Sequence, residues 1–435
     1  MTKPVIIESE CAVMNLDFPA HLDHAWLFIA EGIHLRLFKT TADDTYIPEV
    51  IQKIECINLG RYVLTIGDSN FWSDGAPITT EEVINVLLRG QQAGVFLSIH
   101  VAGRRKIEVA MANEKELTKE LIASPLFTIT PSCRSPKKST ATCGPYVLIS
   151  SSENKRIMIF RKREQLRSHQ QCPKEITIIV TENRSQGIRL LKSGHITLSC
   201  PLGAEPLIFS ELQSTNKISN RLTNLGLVLK PYPGSFLSKN KKEFVKIGES
   251  IQREKLAYVT SNTLVPLFNF SALFAGTSNV SSASEDLNSV NKMNFQNQSA
   301  APYCGPKVIE LGYAPFEPNY QIAHEIGIQL RQKNDIHCSL TEISYKDYVA
   351  CRYPRKEGFS LEIIQPLLPE DFCRMKWDFL DVNRGRNSTE KHLRKSNRTT
   401  LIPLLQNTTS LISFDSAYKN LQLLTKEALL DWSKL

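Results

Sequence analysis

The sequence predicts an α/β protein of two or three lobes. Three observations carry this. At 435 residues the chain is longer than one hydrophobic core usually serves. Residues 174–200 and 307–343 each read as strand, helix, strand, the unit that builds helix-covered parallel sheets. Ahead of them, Tyr46 to Gly67 is strand-like and residues 145–160 read as a hairpin.

Residues 1–37 read as a strand and loop containing Asn15-Leu16-Asp17, then a helix from Ala25 to Ile33. Tyr46 to Gly67 is β-branched and aromatic text punctuated by Pro48 and Gly60, hence strands. Asp74-Gly75 makes a turn, because glycine accepts positive φ and aspartate bonds its own backbone. Thr79 stands three residues before Glu82, the spacing of a reciprocal helix cap, and Val83, Ile84, Leu87 and Leu88 follow at helical intervals. Residues 91–130 mix short strands with a charged helix near 114–122, and 131–142 is a basic Ser/Thr-rich loop. The segments 145–149 and 156–160, separated by a polar tip, predict a hairpin.

Glu175 to Val180 reads as a strand, Asn183 as the cap of a helix bearing Ile188 and Leu191, and Ile196 to Leu198 as the returning strand. Thr277 to Ala300 is rich in Ser and Asn with few apolar residues, the composition of a connection. Lys307 to Tyr313 is strand-like, Ile322, Ile326 and Leu330 mark a helix from about 319 to 332, and Cys338 to Ile343 and 345–353 give another strand and helix. No internal repeat is evident.

The formal charge of +8 is spread over loops and carries no interleaved aromatics for base stacking, which argues against nucleic-acid binding. No apolar run approaches the roughly 18–20 residues that span a bilayer, and the start of the chain shows no signal-peptide core. The ten cysteines include no Cys-x-x-Cys pair. Cys133 and Cys143 are open to two readings, a disulfide or separately buried thiols. Serine-hydrolase elbows, phosphate loops and paired zinc-protease histidines are absent, so neither catalysis nor a metal or other cofactor is expected.

The wording Phe71-Trp72-Ser73-Asp74-Gly75-Ala76-Pro77-Ile78-Thr79 resembles a signature of the extracytoplasmic solute-binding proteins of the oligopeptide and dipeptide family, solute-binding protein family 5. Cys143-Gly144-Pro145-Tyr146-Val147-Leu148 with a return strand ending at Phe160-Arg161-Lys162 is similar to its Gly-Pro-Tyr hairpin. Glu175 to Leu198, a helix over Phe244 to Leu256, and Glu317 to Tyr348 follow in the family's order. The family's Asp is Thr197 in one of these units and Gln252 in another, and its acidic motif after Ile364 is replaced by Gln365-Pro366-Leu367-Leu368-Pro369-Glu370-Asp371-Phe372.

The resemblance implies an α/β, two-lobed periplasmic-binding-protein fold (type II, cluster C) with an extra small β-rich domain. Lobe I takes residues 1–37 and 169–270, and an inserted small domain 38–168. A connection over 271–300 leads to lobe II over 301–420 and a C-terminal helix over 421–435. It implies a monomeric ABC-importer component that captures oligopeptides or dipeptides between its lobes and delivers them to membrane permease subunits from the periplasmic or extracytoplasmic side. Either the sequence begins after a removed export signal or the protein stays inside. With the altered acidic motif this leaves two alternatives, a cytoplasmic sensor or regulator with the same fold, and a degenerate paralogue without peptide binding. Ligand contacts are expected from Glu370 and Asp371, which alternatively cap a helix or face solvent, from Trp377, in the cleft or the core, and from Tyr146, which alternatively packs. Trp72, Ser73, Asp74, Gly75, Gly144 and Pro145 are expected to be structural.

Overall fold

Strand Val5–Ser9 alternates Val5 and Ile7 toward one apolar cluster and Ile6 toward another, so both of its faces are covered. A strand covered twice belongs inside a sheet, and it pairs in parallel with Glu175–Val180 on one side and Leu198–Ser199 on the other. Helix Arg184–Lys192 connects those two neighbours, completing the strand–helix–strand unit that the sequence predicts.

The computed structural model describes residues 4–9, 12–13, 16–17, 24–41, 43, 45–92, 94–112, 116–134, 141–164, 172–181, 184–199, 217–260, 264–267, 302–314, 318–344, 359–364, 377–379, 399–413 and 432. Asn183, the Ser/Asn-rich connection and the helix expected over 345–353 lie outside them.

One sheet runs through the molecule. Its strand order is Tyr146–Ser151, Ile157–Lys162, Glu175–Val180, Val5–Ser9, Leu198–Ser199, Thr399–Ile412, Lys217–Pro231, Phe359–Ile364, Val308–Tyr313 and His337–Glu342. The first five pack over Trp26, Phe28, Tyr146, Phe160 and Ile176. The last three are mutually parallel and pack, with helices Lys241–Ser250, Arg253–Val259 and Asn319–Asn334, around Leu229, Phe244, Leu311 and Ile326. Two long strands, Lys217–Pro231 and Thr399–Ile412, pair antiparallel and link the two halves.

A separate four-stranded antiparallel sheet, ordered Ile51–Asn58, Arg61–Ile66, Lys106–Met111, Phe96–Gly103, packs with helix Thr80–Gln92 around Leu64, Trp72, Val86 and Phe127. The capping box is present: Thr79 N–H donates to Glu82 Oε2 at 2.8 Å and Glu82 N–H to Thr79 Oγ1 at 3.2 Å.

The single helix expected over 244–256 is two, Lys241–Ser250 and Arg253–Val259. Ile251 and Gln252 are extended, and the break lets the buried Arg253 guanidinium donate to the carbonyls of Ile251, Leu267 and Pro403. The Gln252 N–H donates to Gln329 Oε1 at 2.6 Å. Burying a guanidinium is tolerable only when its donors find acceptors, and the interrupted helix supplies one of them.

Candidate functional site

The register of the two linking strands fixes which surfaces face each other. Ser199, at the carboxyl end of its strand, pairs with Ile412, and Ile412 pairs with Lys217. At the other end of the pair, Val228 meets both Pro403 and Ile364, and Ile364 is the carboxyl end of its strand. Leu198–Ser199 is antiparallel to Thr399–Ile412, and Phe359–Ile364 is antiparallel to Lys217–Pro231. The carboxyl edges of the two parallel regions therefore point toward one another along the linkers. From Ile412 to Pro403 is about 30 Å of strand at roughly 3.3 Å per residue. Open α/β sheets bind ligands outside such edges, where connections leave in opposite directions. Both edges have that form: Val5–Ser9 lies between Glu175–Val180 and Leu198–Ser199, and Val308–Tyr313 between Phe359–Ile364 and His337–Glu342.

On the first edge stands Glu8, with 7% of its surface exposed. Thr181 Oγ1 donates to its Oε1 at 2.6 Å and Ser199 Oγ to its Oε2 at 2.5 Å. Each hydroxyl comes from the end of a different neighbouring strand. Helix Arg184–Lys192 crosses so closely that a Cβ on Gly187 would overlap the carboxylate, so only glycine fits there. Sequence reading passed over Glu8. The available signal was an acid ending the apolar run Val5-Ile6-Ile7 at the carboxyl end of the first strand.

On the opposite edge Tyr313 pairs with Glu342 across two parallel strands. Its ring lies 5.8 Å from that of Tyr320, which in turn lies 6.0 Å from the His324 ring. Tyr320 is 50% exposed. Burial, with smaller contributions from Glu342 and Tyr320, raises the Tyr313 hydroxyl above its ordinary pKa, so it stays a neutral donor.

The motif residues lie elsewhere, at the meeting of the small domain and the first lobe. Trp72 is fully buried. The Arg134 guanidinium lies 4.7 Å over its ring and is paired with Asp74 at 3.0 Å and Glu82 at 3.1 Å. Gly75 takes φ +84°, where a side chain is strained. Ser73 N–H donates to Thr142 O at 2.7 Å, and Thr142 N–H to Ser73 Oγ at 3.2 Å. Arg163 fastens both motifs together, donating to the carbonyls of Phe71, Trp72, Cys143 and Gly144. Its own N–H donates to Pro145 O at 2.9 Å. A Cβ on Gly144 would come within 2.5 Å of His34 N, so the Gly-Pro turn can approach helix His24–Ile33 only as glycine.

Tyr146 is a correction to its expected ligand role. Its ring is fully buried, edge-on to Trp432 at 5.1 Å, and its hydroxyl donates to Pro173 O at 2.8 Å. The packing alternative is the one realised. Glu370 and Asp371 lie outside the described residues. Trp377 begins a short strand, Trp377–Phe379, parallel to Thr399–Leu401 of the second linker. Cys133 and Cys143 are free and buried. Among the described residues no group of three His, Cys, Asp or Glu side chains could hold a metal ion, and no helix is long and apolar enough to cross a membrane.

No protein-family model matches the sequence, and no curated protein matches it. Solved structures do. The murein tripeptide binding protein MppA of Escherichia coli superposes with a TM-score of 0.71 at 12% identity, over 99% of this chain and 97% of that one. The oligopeptide-binding protein AppA of Bacillus subtilis, in complex with a nonapeptide, gives 0.67 at 12% identity, over 98% of both chains. NikA of Staphylococcus aureus, in complex with Ni(L-His)2, gives 0.68 at 14% identity, over 99% of both. The chain thus has the two-lobed α/β fold of the periplasmic binding proteins, with an added small β-rich domain.

Proposed function

We propose that the chain is a divergent family 5 solute-binding protein, the capture component of an ABC-type peptide importer. It holds an oligopeptide or dipeptide between its lobes, acts as a monomer outside the cytoplasm, and hands the ligand to membrane permease subunits without chemical conversion. The observation that carries this reading is the pair of opposed carboxyl edges joined by two long strands. Such a linkage suits hinge closure over a ligand. The tripeptide-binding and nonapeptide-bound neighbours support peptide as the ligand class. An extended peptide offers backbone groups to both edges whatever its side chains. Glu370, Asp371 and Trp377 are proposed as ligand contacts.

Mass spectrometry of co-purified ligand, followed by calorimetry with short peptides, tests the reading. Peptide bound at micromolar affinity or tighter is expected. No bound peptide at any length, in a protein located in the cytosol, would favour the sensor alternative.

A further inference from the structure

Glu8 is a buried carboxylate whose charge has no cationic partner among the described residues: its two hydrogen bonds come from the neutral hydroxyls of Thr181 and Ser199. Removing an ion from water costs several kcal/mol unless a counter-charge replaces the lost hydration. Hydroxyl dipoles repay part of this, and the first turns of helix Arg184–Lys192, which press on Glu8 at Gly187, add the partial positive charge of a helix start. A full positive charge is still missing.

The position of Glu8 says where that charge would come from. Its strand ends on the carboxyl edge that faces the other lobe, and Ser199, its hydroxyl partner, is the residue at which that edge joins the second linker. The two hydroxyls, from strands on either side, fix the carboxylate in one orientation. Carboxylates that structure alone requires are commonly closed off by Arg or Lys, as Glu31 is here by Arg36 and Lys39. We propose that Glu8 is the first lobe's receptor for a primary ammonium group of the bound ligand, either a peptide α-amino group or a lysine side chain. This rests on the peptide-capture reading.

The test is calorimetry of wild type, Glu8→Gln and Ser199→Ala with four tripeptides and one diamine. The peptides are Ala-Ala-Ala, N-acetyl-Ala-Ala-Ala, Ala-Lys-Ala and N-acetyl-Ala-Lys-Ala, and the diamine is cadaverine. Circular dichroism checks the fold of each variant, and Ser199→Ala, which keeps the charge but loosens its hold, serves if Glu8→Gln does not fold. Glu8→Gln is expected to weaken ammonium-bearing ligands by about tenfold or more and to leave N-acetyl-Ala-Ala-Ala within about twofold. Loss confined to free α-amino peptides assigns the α-amino group, and loss confined to lysine peptides assigns the side chain. Wild-type peptide binding that both variants leave unchanged overturns the role of Glu8 while peptide capture stands. Cadaverine binding that the variants weaken, with no peptide bound by wild type, overturns peptide capture while the ammonium site stands. A wild type that binds neither peptide nor cadaverine overturns both.

Discussion

Replacing Glu49 by glutamine is expected to stabilise the protein at neutral and alkaline pH. Glu49 follows strand Tyr46–Pro48, and its Oε2 accepts the Arg36 N–H at 2.7 Å. Nearby, Glu31 of helix His24–Ile33 pairs with Arg36 and, at 3.7 Å, with Lys39. Burial first, and the Glu31 charge second, raise the Glu49 carboxyl from 4.5 to about 7, against the pull of Lys39 and Arg36. The folded state therefore binds this proton more tightly than the unfolded chain does. Its contribution is complete below pH 4.5 and is lost as pH rises to 7. At about 1.4 kcal/mol for each tenfold change in proton affinity, the loss is at most about 3 kcal/mol. His34 opposes it. Burial lowers His34 from 6.5 to about 4, so its contribution is lost as pH falls through that range. The two slopes nearly cancel between about pH 4.5 and 6.5. Urea denaturation of wild type and Glu49→Gln from pH 4.5 to 8, followed by tryptophan fluorescence, separates them. The difference curve should start near zero, rise across the window and level off at up to about 3 kcal/mol in favour of the variant. A difference that is flat, or that falls with pH, would refute the assignment of a high-pKa carboxyl to this position.

Three further outcomes follow from packing. Gly144→Ala should cost about 3 kcal/mol or more, or prevent folding, because its methyl meets backbone rather than a movable side chain; thermal melting measures it. Arg163→Met should destabilise by about 3 kcal/mol, since several enclosed carbonyls lose their donor, and limited proteolysis should then cut near the joint of the small domain. Trp432→Ala should cost about 3–5 kcal/mol, because the ring covers Gly32, Tyr146 and Phe160 and donates to Phe28 O at 2.9 Å.

Local pattern made much of the fold legible. The capping box at Thr79 and Glu82, the hairpin after Gly144 and the strand–helix–strand units lie within short windows where period and turn chemistry suffice. What escaped depends on residues far apart in the chain. Nothing near Ser250 announces a helix break; it is set by carbonyls as distant as Pro403, which Arg253 must reach. Nor does the sequence around Tyr146 reveal that Trp432 closes over it. Glu8 was visible as an acid in apolar text, but its significance needed Thr181 and Ser199 brought beside it. The acid pair sought at 370–371 came from family resemblance alone.

The linker pair also locates where bending between the lobes is expected. From Gly226 onward the first linker is packed into the second lobe: Leu227, Val228 and Leu229 are buried and pair with Leu405, Pro403 and Ile402, with a one-residue shift between Leu227 and Val228. Between Leu222 and Gly226 the ladder slips. Leu222 faces Thr408 and Gly226 faces Gln406, so one strand advances four residues while the other advances two. Two smaller irregularities, each a single residue, separate Lys217 from Ser219 and, within the buried stretch, Leu227 from Val228. Bulges leave backbone groups unpaired and bend the strand that carries them, so rotation there disturbs fewer hydrogen bonds than rotation elsewhere in the pair. If the lobes close on a ligand, the φ/ψ changes should concentrate at residues 222–226. Deleting Thr223 and Asn224 would match the two strands and stiffen the pair. The shortened protein should then show a smaller ligand-induced decrease in radius of gyration by X-ray scattering, with its melting temperature maintained. An undiminished closure would place the bend elsewhere, because a regular antiparallel ladder cannot rotate without breaking the hydrogen bonds that the deletion restores.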